Sequence, residues 1–428
     1  MVSLRAARLT IRTTLKCSFA KTAMLDRLNH QKRHGQYYTG SAFGRLLVER
    51  FEDTEVRTAI ELGLGNGSLL TAVQQRWPLA SSVSVDIDPA HSNYKFKSSH
   101  THFCMDALHI ELPRLIGLAP ECADVAVCNP PFVTPRWKSA FNKILERAGF
   151  PVPTAATTMD AGALFLAQNL WILRKHGQLG IIVPDGIISG QRNRHLRDRL
   201  LTDHSIREVI ELPTSAFVGT EVKTFILSLT KEKTSRDPIR LLKCTSEGEI
   251  SEPIQITQDE ASQRLDYSYY EWAKHSREML SDSNVVSSEF EIIRGSISTA
   301  QARVNDWKVL HTTDLKNLSQ RSYLKIPRAF APEHSLRSHP VAVPGDILVT
   351  RVGRNLEEKT VLVVSGRAAI SDCLYILRLN GFAPKAALDI LLSVEGKDWI
   401  RAHTRGACAQ FISKTDLAHF PLLQRTYE

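Results

Sequence analysis

A chain of 428 residues, 43% hydrophobic and 23% charged, is long enough for two ordinary domains and too apolar for a disordered or fibrous composition. No run of about 18 or more apolar residues is present, which excludes a transmembrane helix on hydropathy, and the seven cysteines include no Cys-x-x-Cys pair, so neither a disulfide framework nor a zinc ribbon is written here and a reducing, cytoplasmic setting fits. The net charge of +9 is unevenly placed: residues 1–34 carry +7, residues 291–428 carry +6 and the middle carries −4, a polarity suited to basic ends on a polyanion and a centre that does other work.

Residues 1–34 are read as a basic N-terminal arm. They share the acid-poor composition of a mitochondrial transit peptide, but nothing else in the chain points to an organelle, and the apolar core of a secretory signal is missing. From Thr58 to Lys231 short β-branched runs alternate with helical stretches, which predicts an α/β, doubly wound sheet. The predicted strands are 58–62, 82–86, about 102–106, 123–128 and 179–183, with helices over 68–76 and about 162–174. Segments 206–212 and 224–229 flank a turn and are expected to pair as a hairpin. Residues 235–288 are polar and irregular and are read as a linker, with a helix over 270–281. Strand candidates 344–350, 361–364 and 374–378, then a helix over 386–394, form a second, smaller mixed α/β domain.

Gly63, Gly65 and Gly67 follow the first strand and open a helix, so the backbone can turn tightly and approach a ligand closely. About twenty residues on, Asp86 ends the next strand, where a carboxylate can accept ribose hydroxyls. Glycines and acid together fit a dinucleotide or S-adenosylmethionine. Asn129-Pro130-Pro131-Phe132 at the end of the fourth strand separates the two. Ligands of open α/β sheets bind at the carboxyl edge of the strands, so Asn129 faces whatever the glycine loop holds. The prolines stiffen the turn and fix the Asn129 carboxamide and the Pro130 carbonyl as a pair of acceptors. Accepting both N–H bonds of an exocyclic amine off its ring plane localises the nitrogen lone pair for attack on a methyl sulfonium, with no strong base required. Phe132 supplies a stacking face.

These motifs resemble, in order, the gamma-class N6-adenine DNA methyltransferases, which include the modification subunits of type I and type II restriction systems. His34-Gly-Gln36-Tyr37-Tyr38-Thr39 is similar to the family's segment over the methionine end of S-adenosylmethionine, and Glu61-Leu-Gly63-Leu-Gly65-Asn-Gly67 to its cofactor loop. Asp86 with Ile87 resembles the ribose-binding position, and Asp106 with Ala107 the adenine-binding one. Asn129 to Phe132 matches the catalytic motif, and Phe217 stands where the family places a second ring against a flipped base. Glu61-Leu-Gly63 replaces the more common Asp-Pro-Ala/Ser, and Gly40 stands where a proline is usual.

The resemblance implies an S-adenosylmethionine-dependent methyltransferase domain over 35–234 that methylates adenine N6 in double-stranded DNA by base flipping, as the modification enzyme of a restriction-modification or phage-defence system. More loosely, residues 289–428 resemble a target-recognition domain of type I specificity subunits, through 344–353 and through 406–412 with 417–422. Arg351 and Arg354 are the DNA-contact candidates it offers; a restriction endonuclease or other defence subunit is an implied partner. The competing readings are a methyltransferase for ribosomal RNA or a protein glutamine, an unrelated dimerisation domain at the C-terminus, and a catalytically silent DNA-binding component. His91, His100, His102 and His109 lack acid or cysteine partners at ligand spacing and are expected to be surface residues, with no metal site.

Overall fold

The computed structural model describes residues 39–93, 99–152, 159–217, 222–280, 285–287, 290–320, 322–330, 336, 338–406 and 410–425. It divides into two units, Met1–Leu265 and Asp266–Glu428. In the first unit nine strands form one sheet: β1 (Thr58–Leu62), β2 (Ser81–Asp86), β3 (His100–Cys104), β4 (Ala123–Cys128), β5 (Leu173–Pro184), β6 (Ser205–Glu211), β7 (Thr224–Thr230), β8 (Ile239–Lys243) and β9 (Ile254–Ile256). Their order is β3-β2-β1-β4-β5-β7-β6-β8-β9. Strands β1 to β5 run parallel, and β7 runs against both β5 and β6. This is the doubly wound sheet expected from the βα alternation, and the segments expected as a hairpin do pair.

Five helices of nine or more residues accompany the strands of this unit: α1 (Ser41–Glu49), α2 (Ser68–Arg76), α3 (Ser139–Arg147), α4 (Ala161–Ile172) and α5 (Arg194–Asp203). Helix α4 is largely apolar and buried along nearly its whole length; its two polar side chains, Gln168 and Asn169, spend their amides on backbone carbonyls. Asp160 caps it by accepting from the Ala163 amide. Leu47 and Phe51 pack with Val125, Val127 and Ile182 in one core cluster beneath the sheet.

The boundary differs from the expected linker over 235–288. Residues 239–243 pair in parallel with β6, and 254–256 pair with them in turn, so both belong to the sheet. Ile239 and Leu241 are fully buried while Arg240 reaches the Glu208 carboxylate at 3.4 Å, which is how a short, polar-looking strand fits inside the sheet between β6 and β9.

The second unit is mixed α/β. Its six-stranded sheet has the order 290–294, 374–379, 347–350, 360–365, 323–325, 319–320. Helices Pro384–Leu392 and Val394–His403 cover a core containing Trp399, Leu388 and Leu377. Val352–Gly353 pairs with Gln410–Phe411, so the two segments that resemble a recognition domain lie side by side; residues 407–409 are outside the described residues.

Candidate active site

Strand register builds the site. Leu62 pairs with Val85 on one side and Cys128 on the other, so Gly63, Asp86 and Asn129 leave their strands in one row at the carboxyl edge. Asp86 is itself opposite Cys104, which puts Asp106 just beyond the same edge. The row straddles the point where strand order reverses between β1 and β4, the place where open α/β sheets bind ligands.

A cavity of about 270 Å³ opens there. Of the residues singled out in the sequence, Thr39, Glu61, Gly63, Gly65, Asp86, Ile87, Asp106, Ala107, Asn129 and Pro131 line it. Gly67, Pro130, Phe132 and Phe217 do not belong to its lining. Gln36, Tyr37 and Tyr38 lie outside the described residues. Sequence reading missed Phe165, Leu108, Asn66 and Val133, which also line the cavity. Phe165 was hidden inside a largely apolar helix, where nothing marks one ring as a cavity wall.

The glycine loop turns with φ of 84° at Gly63, 53° at Gly65 and 70° at Gly67, conformations that favour glycine. Gly67 therefore serves the turn, not the ligand: it caps α2 and donates to the Leu64 carbonyl. Glu61 is 1% exposed, and its Oε2 accepts from the Leu70 amide in the first turn of α2. Burial pushes its carboxyl well above the ordinary range, against the pull of that amide.

Asp86 Oδ2 accepts from the Gly65 amide at 2.9 Å, and Oδ1 from the Asp88 amide at 2.9 Å. The His91 ring stands 3.0 Å from Oδ2. Burial alone would raise this carboxyl, but His91 and the two amides outweigh it and hold it below its usual value. The Asp86 contact in turn raises His91, against burial. This corrects the expectation of surface histidines: His91 is 5% exposed and paired with an acid. His100 and His102 are half-buried against the Ser82 and Ser84 hydroxyls, and only His109 is exposed. Among the described residues, no group of three or more His, Cys, Asp or Glu is placed to hold a metal ion.

Asp106 Oδ1 accepts from the Leu108 amide, and Oδ2 lies 3.5 Å from Lys138 Nζ. Asn129 Nδ2 donates to Thr39 Oγ1 at 3.0 Å, so the carboxamide oxygen is the atom of this side chain that serves as acceptor. The Asn129–Phe132 turn is braced by a Val133-to-Pro131 bond, and Val133 ties it to α4 by accepting from Ala161.

The expected pair of stacking rings is not a clamp as it stands. Phe132 and Phe217 meet edge to face, with centroids 5.7 Å apart and planes at 81°, and Phe217 is 2% exposed. A base held between two rings needs parallel planes about 7 Å apart. Here the rings fill each other's space. In the second unit, Arg351 Nε donates to the Asp372 carbonyl, so this guanidinium braces its own domain, whereas Arg354 is exposed.

Residues 93–294 match the family model of N-6 DNA methylases. The methylase subunit of the type I restriction enzyme MpnII of Mycoplasma pneumoniae is 26% identical over 126 residues, covering 29% of this chain and 23% of that protein. The methylase subunit of the type I restriction enzyme EcoEI of Escherichia coli is 23% identical over 224 residues, 47% of this chain and 44% of that protein. Among solved structures, the type IIG restriction endonuclease BpuSI is similar over 90% of this chain and 58% of that one, at 12% identity and a TM-score of 0.49. The chain spans less than half the length of the curated relatives it matches.

Proposed function

We propose that this chain, whose residues 93–294 match the N-6 DNA methylase family model, transfers a methyl group from S-adenosylmethionine to adenine N6 in double-stranded DNA as a modification enzyme of a restriction-modification system. The observation that carries the reading is the single row of Gly63, Asp86 and Asn129 around one cavity: a nucleoside-binding acid and glycine turn face a neutral carboxamide acceptor.

The residues fit the cofactor. Asp86 and Asp106 offer acceptors to ribose hydroxyls and to an adenine amine, and the backbone at Gly63 and Gly65 permits close approach. Ile87 is 62% exposed at the rim, an apolar face of the kind a purine covers. When bound, S-adenosylmethionine supplies an electrophilic methyl on a positively charged sulfur. Asn129 Oδ1 then accepts from the target amine, draws its N–H out of the ring plane and leaves the nitrogen lone pair directed at the methyl. The adenine must leave the stack to reach this edge, at a cost of a few kcal/mol.

The family match over 93–294 and the methylase names of the relatives support adenine in DNA over ribosomal RNA or a protein glutamine. The second unit is proposed to read the DNA sequence, and a restriction endonuclease to be the companion activity. Tritiated S-adenosylmethionine, mixed duplex DNA and the purified chain test the reading. Label in N6-methyladenine at one sequence context is expected, and Asn129→Ala is expected to lose transfer by orders of magnitude while still binding S-adenosylhomocysteine. Label in RNA or protein alone, or an Asn129→Ala enzyme above about a tenth of normal turnover, refutes it.

A further inference from the structure

Two polar side chains tie the catalytic turn to the cofactor loop, and nothing in the motifs requires them to. Asn66 stands inside the glycine loop, between the left-handed Gly65 and Gly67. Its Oδ1 accepts from the Ser68 amide at 3.3 Å and the Ser68 hydroxyl at 2.9 Å, and Nδ2 donates to the Thr39 carbonyl at 3.0 Å; the amide can only donate and the carbonyl only accept, which fixes the carboxamide. Thr39 is 4% exposed, and its hydroxyl oxygen receives the Asn129 amide at 3.0 Å. The chain Ser68–Asn66–Thr39–Asn129 therefore runs without a break from the start of α2 to the catalytic carboxamide.

We infer that Thr39 and Asn66 are positioning residues for Asn129: the Thr39 hydroxyl holds the carboxamide in one plane at the cavity, and Asn66 holds Thr39 to the cofactor loop. The inference rests on the role proposed above for Asn129. Its chemical basis is the rotational freedom of a terminal carboxamide. The bond to the carboxamide carbon has a broad torsional profile, so a side chain held by nothing spreads its acceptor over many directions, few of which meet an amine. A hydroxyl at hydrogen-bond distance from Nδ2 narrows that spread. Because Thr39 is anchored through its backbone to the loop that approaches the cofactor, orientation of the acceptor and placement of the methyl donor are set by one connected structure. A contact to the cofactor's methionine end, the role the family resemblance implies for this segment, makes a different demand: it asks Thr39 for affinity, whereas positioning asks it for rate.

Single-turnover transfer at saturating S-adenosylmethionine separates the two, alongside calorimetric affinity for S-adenosylhomocysteine. Thr39→Val, which keeps shape and removes the acceptor, is expected to slow transfer about tenfold, with affinity changed less than twofold, while Thr39→Ser stays within about twofold of normal in both. Asn66→Ala is expected to slow transfer by a smaller factor, and to add nothing when combined with Thr39→Val, because both act through one bond. Thr39→Val that transfers at the normal rate, or that loses affinity by the same factor as rate, overturns the inference.

A second readout needs no activity. In protein labelled with 15N-asparagine, with the Asn129 signal identified by its loss in Asn129→Asp, the side-chain amide protons are expected to exchange with solvent faster in Thr39→Val. Unchanged exchange overturns the inference too. If the normal enzyme transfers no methyl to DNA, the proposed function fails while this measurement still decides whether Thr39 holds the carboxamide.

Discussion

Replacing Asp86 with alanine removes one carboxylate that three donors share: the Gly65 amide, the Asp88 amide and the His91 ring. Bonds to a charged acceptor are worth about 1.5–3 kcal/mol each, and three that share one group do not add fully, so a loss on the order of 4 kcal/mol is expected for the first unit. The pH dependence identifies the partner. Asp86 is held below its ordinary value, so its contribution is present above the unfolded carboxyl pKa of about 3.8 and is lost only as pH falls through the lower folded value. His91 is held above its ordinary value, so its contribution is whole below about 6.5 and is lost as pH rises through the higher folded value. Both are complete between roughly pH 5 and 6.5, and only the His91 part fades above that window. The stability gap between the normal chain and Asp86→Ala is therefore expected to be wider at about pH 5.5 than at about pH 8.5. Hydrogen exchange of the β1 amides reads the gap in the unit that contains Asp86, free of the second unit's own transition. A gap that is constant with pH, or wider on the alkaline side, refutes the ion pair.

Phe217→Ala is expected to cost about 3–5 kcal/mol of stability, because this ring is a buried core member, whereas half-exposed Phe132→Ala costs much less and instead impairs transfer; urea unfolding beside 2-aminopurine fluorescence at the target position separates the two. Gly63→Ala has room for its methyl, 3.7 Å from the Asn129 carbonyl, but a φ of 84° costs an L-residue about 1–2 kcal/mol, so lower stability and weaker S-adenosylhomocysteine binding are expected, and no change in either counts against the strained turn. A fragment ending at Leu265 is expected to stay monomeric by sedimentation and to bind S-adenosylhomocysteine without sequence-specific DNA affinity, while one ending near Ser235 uncovers the β6 edge and associates; equal behaviour of the two fragments refutes the placement of β8 and β9.

Most of the parallel half of the sheet was legible because strands β1, β2, β4 and β5 are largely buried and carry β-branched residues, with glycine or proline marking the turns after them, whereas β3 is half-exposed at the sheet edge. Asp86 and Asn129 were legible for the same reason, as polar residues at abrupt ends of apolar strands. Strand β8 was not: only Ile239, Leu241 and Leu242 are buried, and the charge among them, Arg240, serves Glu208 on β6, a partner about thirty positions earlier. His91 was misread because a 3-10 turn over Pro89–Asn93 folds the ring back onto an acid five residues upstream, and no periodic pattern records such a turn. For Phe217 the sequence placed an aromatic near the edge of the site but carried no signal for which way its ring packs.

The two ends of the cavity differ in kind, and the difference follows from how each polar group is held. At the end proposed to hold the nucleoside, Asp86 is kept charged because amides and His91 compensate for its burial, and Asp106 stands at the same end with Lys138 near it. At the transfer end, Asn129, Pro131, Val133 and Phe165 carry no titrating group, and the nearby buried acid, Glu61, spends its Oε2 on the Leu70 amide at the start of α2. On the proposed reading, the charged acid faces the nucleoside part of the methyl donor, while the amine that reacts meets the neutral Asn129 acceptor at the other end. Transfer by orientation of a lone pair needs no base, and a carboxylate beside the sulfonium would stabilise the donor's charge before transfer, which raises the barrier instead of lowering it. On this reading, pH is expected to act through the Asp86–His91 pair on binding and to leave the transfer step itself flat, so the neutrality of the Asn129 turn matters to the proposed chemistry as much as the acids across the cavity from it.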